Sequence, residues 1–512
     1  MRGSETGARR TPQGLRAVFA VALLVAATFH ASATGSQEPA PDAPVVFRLA
    51  MAADPDSLDP HRSSASMTEQ IMLNVFDGLL NPNPDGGVEP GIAESYTISE
   101  DGLTYTFTLR PDVYFHNGNP VTANDVVFTI NRLRGANGGP ALSSEFDDVA
   151  DIESPDAGTV VISLARPNSS FEKFLYRAIV PAGYYRQAEA PIGAGPYRFV
   201  EYIPQNRIVL ERFDRYYGSA GDVDRVIVRI IGDADARLLA LRAGELDFAD
   251  VPADRIAEVE DSFRMVTALA NSVFILGMNN DRAPFNDPRV RRAISHAIDR
   301  SEIIDFVFNG YAVELGSSMS PAMPDYFDER LVGTYEFDLD AARSLLAEAG
   351  YPDGFPTELR ISGHSAVYTN TAQVIQQQLS RVGIRTRIQV IEWSMWLSDI
   401  YTNRDFQMTL IDFTGKLDPY PVLRRYISDF RRNFLNYENE AYDDIMERAL
   451  RSPNPETRVR LYRAAQEMLA RDVPAVFLAD YQFIWAMNER FSGYTPYPFF
   501  FHDLRKLGYA RE

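Results

Sequence analysis

The sequence predicts an α/β fold divided into at least two lobes. Three observations carry this. A strand, a helix and a second strand follow one another between Leu359 and Val390, which is the pattern of a crossover unit. A strand-rich, turn-punctuated stretch occupies 77–192. And 512 residues, 45% of them hydrophobic, exceed what a single core usually organises.

In chain order, a Pro-rich segment at Gln37–Ala43 precedes a short strand at Val45-Val46-Phe47-Arg48-Leu49. Within 77–192, Tyr105–Leu109 alternates and Val160–Leu164 is a buried-strand run. One helix follows Thr122, where Thr122-Ala123-Asn124-Asp125 resembles a capping box and Val126, Val127 and Ile130 form the stripe. Ile208–Leu210 and Val226–Val228 are strands, and Asp235–Ala243 is a helix stopped by Gly244.

Asp287 is a good N-cap with Pro288 at the first helical position, followed by Val290, Ala293, Ile294, Ala297 and Ile298 on one face. Asp338 caps a helix ended by Gly350. Leu359 and Ile361 form a strand. The helix after it carries Val374, Ile375, Leu379 and Val382, and closes at Gly383. Ile384, Thr386, Ile388 and Val390 alternate as the parallel partner strand. Two more helices lie at Tyr442–Leu450 and Val459–Leu469. In such folds ligands sit between domains or at the carboxyl ends of strands.

Composition excludes several functions. A formal charge of −20 disfavours nucleic acid and anionic membrane surfaces. With no cysteine there are no disulfides, thiolate metal sites, thiol nucleophiles or lipidated N-terminal Cys. Of 50 basic residues only Lys173, Lys416 and Lys506 are lysine. There is no G-x-S-x-G elbow, H-E-x-x-H or Walker-type loop. Gly193-Ala194-Gly195-Pro196 begins like a dinucleotide fingerprint but Pro196 blocks the helix that must follow. His61, His116, His296, His364 and His502 stand at no metal-ligand spacing. No catalytic residue, metal or cofactor is expected, and a secreted hydrolase is disfavoured.

The N-terminus carries Arg2, Arg9, Arg10 and Arg16, then an apolar run from Ala17 to Thr28, then Ala31-Ser32-Ala33. The run is short for a membrane span, with an uncleaved anchor as the alternative reading. Residues 1–33 are therefore predicted to be a cleaved secretory signal peptide, followed by a linker at 34–44. Without a lipobox Cys the mature chain is expected free in a Gram-negative periplasm, with no direct membrane insertion.

Ordered motifs then identify a relationship. Ser57-Leu58-Asp59-Pro60 resembles S-L-D-P, and Val75-Phe76-Asp77-Gly78-Leu79 resembles V-[FY]-[DE]-G-L. Pro90-Gly91-Ile92-Ala93-Glu94-Ser95-Tyr96 is similar to P-x-L-A-x-S-W. Leu109–Gly118 with Ala123–Val126 is the strongest stretch. Gly193–Tyr197, Tyr216-Tyr217-Gly218, and Asn279-Asn280 with Pro284–Arg291 continue the series to near Leu507. The chain resembles the family 5 extracellular solute-binding proteins, the dipeptide- and oligopeptide-binding group.

The resemblance implies a two-lobe periplasmic binding fold with an extra strand-rich subdomain, hinged on two chain crossings near Phe274–Met278 and Asp480–Phe483. Lobe one is then 45–76, 193–275 and 483–512, with the subdomain at 77–192. Lobe two is 276–482. It implies a monomeric, non-enzymatic protein that closes on a peptide or small molecule and delivers it to an ABC permease complex in the inner membrane. A ligand-sensing receptor on the same fold is the alternative role. Phe274, Phe413 and Tyr481 are the aromatic candidates for the cleft, with core packing as the alternative for each.

In peptide-binding relatives a carboxylate after a Trp, before an acidic-Pro pair, holds the peptide amine. This chain reads Asp412-Phe413-Thr414-Gly415-Lys416-Leu417-Asp418-Pro419. Lys416 falls at or beside that carboxylate and cannot accept an ammonium hydrogen bond. Asp412 could substitute. An acidic solute such as an opine-like conjugate, with Lys416 as its partner, is the alternative ligand. A salt bridge from Lys416 to Asp412 or Asp418, or plain solvent exposure, remains open.

Overall fold

The computed structural model describes residues 44–499 and 501–510. The signal peptide predicted at 1–33, and the predicted linker up to residue 43, lie outside the described residues.

Alternation becomes strand where one face of a segment is apolar. Val46–Met51 and Thr159–Leu164 bury every second residue. The capping chemistry at Thr122 holds: the Asp125 carboxylate accepts from the Thr122 N–H at 2.9 Å and from its hydroxyl at 2.7 Å, opening the helix Ala123–Leu133. Asp287 accepts the Arg289 N–H at 2.8 Å ahead of the helix Pro288–Ala297. The helix Ala366–Ser380 ends before Gly383, whose φ of +80° suits a residue without a Cβ. The last two helices run Glu440–Arg451 and Pro455–Asp472, longer than their apolar stripes. Their outer turns are polar and anchored by Asn439 and Asn454 caps, so no apolar periodicity marks them.

Two sheet regions share one strand. In the first, Val46–Met51 pairs parallel with Arg225–Ile230, which pairs antiparallel with Arg207–Arg212. In the second, Pro356–Ser362 pairs parallel with Arg385–Ile391 and with Met408–Thr414. The strand Ala475–Met487 belongs to both. Its first half pairs with Ser272–Met278, and its second half with Arg264–Leu269 and Phe248–Asp250. The chain makes its other passage at Ala270–Asn271, between Arg264–Leu269 and Ser272–Met278, where Asn271 takes φ +50°.

A separate four-stranded antiparallel sheet, Ala93–Ile98, Thr104–Leu109, Thr159–Leu164 and Val149–Asp156, has its own core around Phe107, Phe146 and Phe171. The two main regions also have distinct apolar cores, around Phe47 and Val226 in one and around Ile294 and Leu410 in the other. The result is two lobes plus a subdomain, each with a core of its own. Sheet-covering helices and these cores leave the shared strands as the covalent joint between the lobes.

The subdomain touches the second lobe. The Ser170 hydroxyl donates to Asp418 at 2.7 Å, and Asp418 is ion-paired with Arg458 in full burial. Arg451 reaches Asp148 at 3.1 Å and the Pro167 carbonyl at 2.9 Å.

Candidate functional site

A cavity of about 770 Å³ opens where the lobes meet. Val251–Asp254 wall it from the first lobe. Phe274, Phe308, Tyr368 and Asp412 wall it from the second, and Tyr481 and Gln482 come from the shared strand. The volume lies within the range of small-molecule sites, and both lobes contribute.

Strand register assembles the centre. Phe274 stands opposite Asp412 in the antiparallel pair Ser272–Met278 with Met408–Thr414. Tyr368 arrives from the first turn of the helix Ala366–Ser380 and donates its hydroxyl to the Asp412 carboxylate. Ser272 donates to the same carboxylate at 3.3 Å and Tyr481 at 3.5 Å. Burial, then the Asp412 charge, pushes both phenols well above the ordinary tyrosine value, so they remain donors.

The rings close around this carboxylate. Phe274 stacks on Tyr368 with centroids 5.7 Å apart, and Phe308 stacks on Tyr481 at 6.0 Å. Phe274 meets Phe308 edge-on at 6.1 Å. Among the described residues no Lys or Arg lines the cavity, and His364 is the one imidazole in its wall. Asp412 has no ion pair among the described residues.

Behind Tyr481, Asp480 is fully buried. Burial raises its pKa to about 7, against hydrogen bonds from Ser320 and from the Ser272 and Asn271 N–H groups; the nearby Asp412 charge raises it further.

Of the residues singled out from sequence, Phe274, Asp412 and Tyr481 meet in this cavity. Phe413 does not line it. Successive strand residues point to opposite faces, so Phe413 turns away from Asp412. It packs into the second lobe's core, 6.3 Å from Phe434 and 4.6 Å beneath the Arg425 guanidinium. Lys416 also lies outside the cavity lining, on the loop beyond the strand, half-buried. It makes no ion pair with Asp412 or Asp418 among the described residues; Asp418 is taken by Arg458, and the Lys416 charge acts on Glu145 of the subdomain. Tyr368, Phe308 and Ser272 carry no mark of function in the sequence, and Asp480 enters it only as the start of the second expected hinge crossing. Tyr368 and Phe308 read as ordinary helix residues, and nothing local distinguishes them.

Residues 87–434 match the family model described as bacterial extracellular solute-binding proteins, family 5 Middle. The chain belongs to the family 5 bacterial extracellular solute-binding proteins. As a family 5 protein it is a substrate-binding component of an ABC importer, with an extracytoplasmic role, and not an enzyme. No helix among the described residues is long and apolar enough to cross a membrane.

The family 5 chain is 28% identical over 467 residues to a glutathione-binding protein, GsiB, of Pectobacterium atrosepticum, covering 86% of this chain and 90% of that one. It superposes on the periplasmic binding protein DppA from Helicobacter pylori in complex with the peptide STSA, at a TM-score of 0.76 and 27% identity, covering 91% and 98% of the two chains. The PBP AgaA in complex with agropinic acid, from A.tumefacien R10, is similar at a TM-score of 0.75 and 26% identity, covering 91% and 99%.

Proposed function

We propose that this family 5 protein captures a peptide or peptide-like small molecule by closing its lobes, and delivers it as a single chain to an ABC permease. Signal-peptide removal near Ala33 would free it in the periplasm. The division expected from the sequence, 45–76, 193–275 and 483–512 against 276–482 with 77–192 as a subdomain, would move its first crossing from Phe274–Met278 back to Ala270–Asn271, which puts Ser272–Met278 in the second lobe; the other hinge passage would lie within Ala475–Met487.

One observation carries the reading: a single cavity of about 770 Å³ draws its walls from both lobes and from the shared strand. A ligand there gains its full set of contacts only when the lobes approach, so it stabilises the closed arrangement by its differential affinity. A short peptide fits that space, with backbone amides for its polar groups and rings for its side chains. The relatives that carry glutathione or the peptide STSA support this class.

The alternative, an acidic opine-like solute held by Lys416, has AgaA with its agropinic acid in its favour. The lining favours the peptide: among the described residues it contains Asp412 and Asp254 and no Lys or Arg, and Lys416 lies outside it. Mass spectrometry of small molecules released from the natively purified protein tests the reading. A peptide is the expected mass; a polyacidic non-peptide solute would overturn it.

A further inference from the structure

Four of the ordered motifs, Val75–Leu79, Pro90–Tyr96, Leu109–Gly118 and Tyr216–Gly218, contribute no residue to the inter-lobe cavity. The fold brings them together at a second cavity of about 240 Å³, between the first lobe and the subdomain. Pro90, Arg110 and Tyr217 line it from three of the motifs. The fourth supplies Asp77, buried behind the wall, which accepts the Tyr217 hydroxyl at 2.6 Å and the Tyr216 hydroxyl at 3.1 Å. Arg505 and Lys506 enter from the C-terminal segment. We propose that this cavity binds a small oxyanion, at a site separate from the solute site. The proposal is independent of which solute the inter-lobe cavity takes.

The charge accounting decides the class of ligand. Three cations line the cavity, Arg110, Arg505 and Lys506, against one acid, Glu89. Arg505 is already answered: it gives Asp503 two hydrogen bonds of 2.9 Å, and Glu89 lies 3.6 Å from it. Asp77 is answered by the two tyrosine hydroxyls. Arg110 and Lys506 are not answered, since neither makes an ion pair among the described residues. The Arg110 Nε donates to the Gly91 carbonyl at 2.9 Å, and its guanidinium lies 5.4 Å from the centre of the Tyr217 ring. Those contacts fix the group and leave its two terminal nitrogens without a protein acceptor among the described residues. The Ser219 hydroxyl, also in the lining, is uncommitted in the same sense. A planar guanidinium fork, an ammonium and a hydroxyl form a set that donates to the oxygens of an oxyanion. A cation would meet two unanswered charges of its own sign, and a neutral solute would leave both unanswered.

Size and field narrow the class. A space of about 240 Å³ is smaller than the usual site for a drug-sized ligand, which points to an ion or a short dicarboxylate. The chain's net charge of −20 opposes any anion at long range, so binding must come from contact with Arg110 and Lys506. All the lining residues belong to the first lobe and its subdomain, so the site needs no lobe closure.

Calorimetric titration of the mature protein with inorganic phosphate, sulfate and succinate, at an ionic strength held constant with sodium chloride, tests the site. The first two probes against the third separate an inorganic oxyanion from a carboxylate. At least one is expected to bind saturably and to raise the melting temperature with its concentration. Arg110→Gln should weaken that binding about ten- to a hundredfold. Lys506→Gln, at an exposed residue, should weaken it by up to about fivefold without changing the melting temperature of the free protein, and Lys506→Glu should weaken it more. Arg207→Gln, on the first-lobe sheet and away from the cavity, should bind like the parent. Should Arg110→Gln fail to fold, the two Lys506 variants decide, and indifference to both overturns the site. So does saturable binding of none of the three anions, an equal response to chloride alone, indifference to both Arg110→Gln and Lys506→Gln, or an equal loss in Arg207→Gln.

Discussion

Asp480 accepts the Ser272 N–H at 3.0 Å, tying together the two strands on which the chain passes between lobes. The bond joins residues 208 positions apart, and the carboxyl group also meets Ser320 in full burial. A titratable group therefore stands at the joint on which the lobes must turn.

The pH dependence of stability follows from that burial. The folded pKa of Asp480 is about 7, above the ordinary value of 3.8, so the folded chain holds a proton that the unfolded chain releases. The associated stability is complete below about pH 4 and is lost as pH rises through about 7. Asp77, buried and raised to about 6, acts in the same direction. Asp480→Asn should flatten part of this fall and raise the melting temperature at pH 8 by roughly 2–4 °C per kcal/mol recovered. Melting curves from pH 4 to 8 check it; an unchanged profile would show that Asp480 stays neutral or hydrated throughout.

Closure should be visible in solution. Small-angle scattering is expected to give a smaller radius of gyration with saturating ligand than without. Asp148 with Arg451 bridges the subdomain and the second lobe, so Asp148→Asn should favour opening. As a partly exposed pair it is worth roughly 0.2–1 kcal/mol, up to about fivefold in ligand affinity. No change in radius on binding, with an open free state established, would count against a hinge.

Lys416 gives a test of the ligand's charge from the other side. It lies outside the cavity and its charge acts on Glu145 across the lobes. Lys416→Met should leave affinity for the natural ligand within about fivefold, the range of a partly exposed charge contact. A loss of about ten- to a hundredfold would return the acidic solute to first place.

Export is checked separately. N-terminal sequencing of the protein from a periplasmic extract is expected to begin just after Ala33; a chain still starting at Met1 would refute cleavage.

What the sequence by itself determined was local. Caps at Thr122, Asp287 and Asp338, the crossover between Leu359 and Val390, and the ordered motifs from Ser57 to Arg291 specify elements and family, because each depends on residues close together in the chain. The tertiary structure alone decided the composition of the cavity. Asp412 and Phe413 are neighbours in sequence, yet the two-residue strand period sends one to the cavity and the other to the core. Tyr368 and Phe308 reach Asp412 and Tyr481 from helices with no local mark of function. Asp480 becomes a hinge group because two strands far apart in the chain pass side by side and exclude water from it. Burial and cross-strand register depend on contacts between distant segments, and no local pattern encodes them.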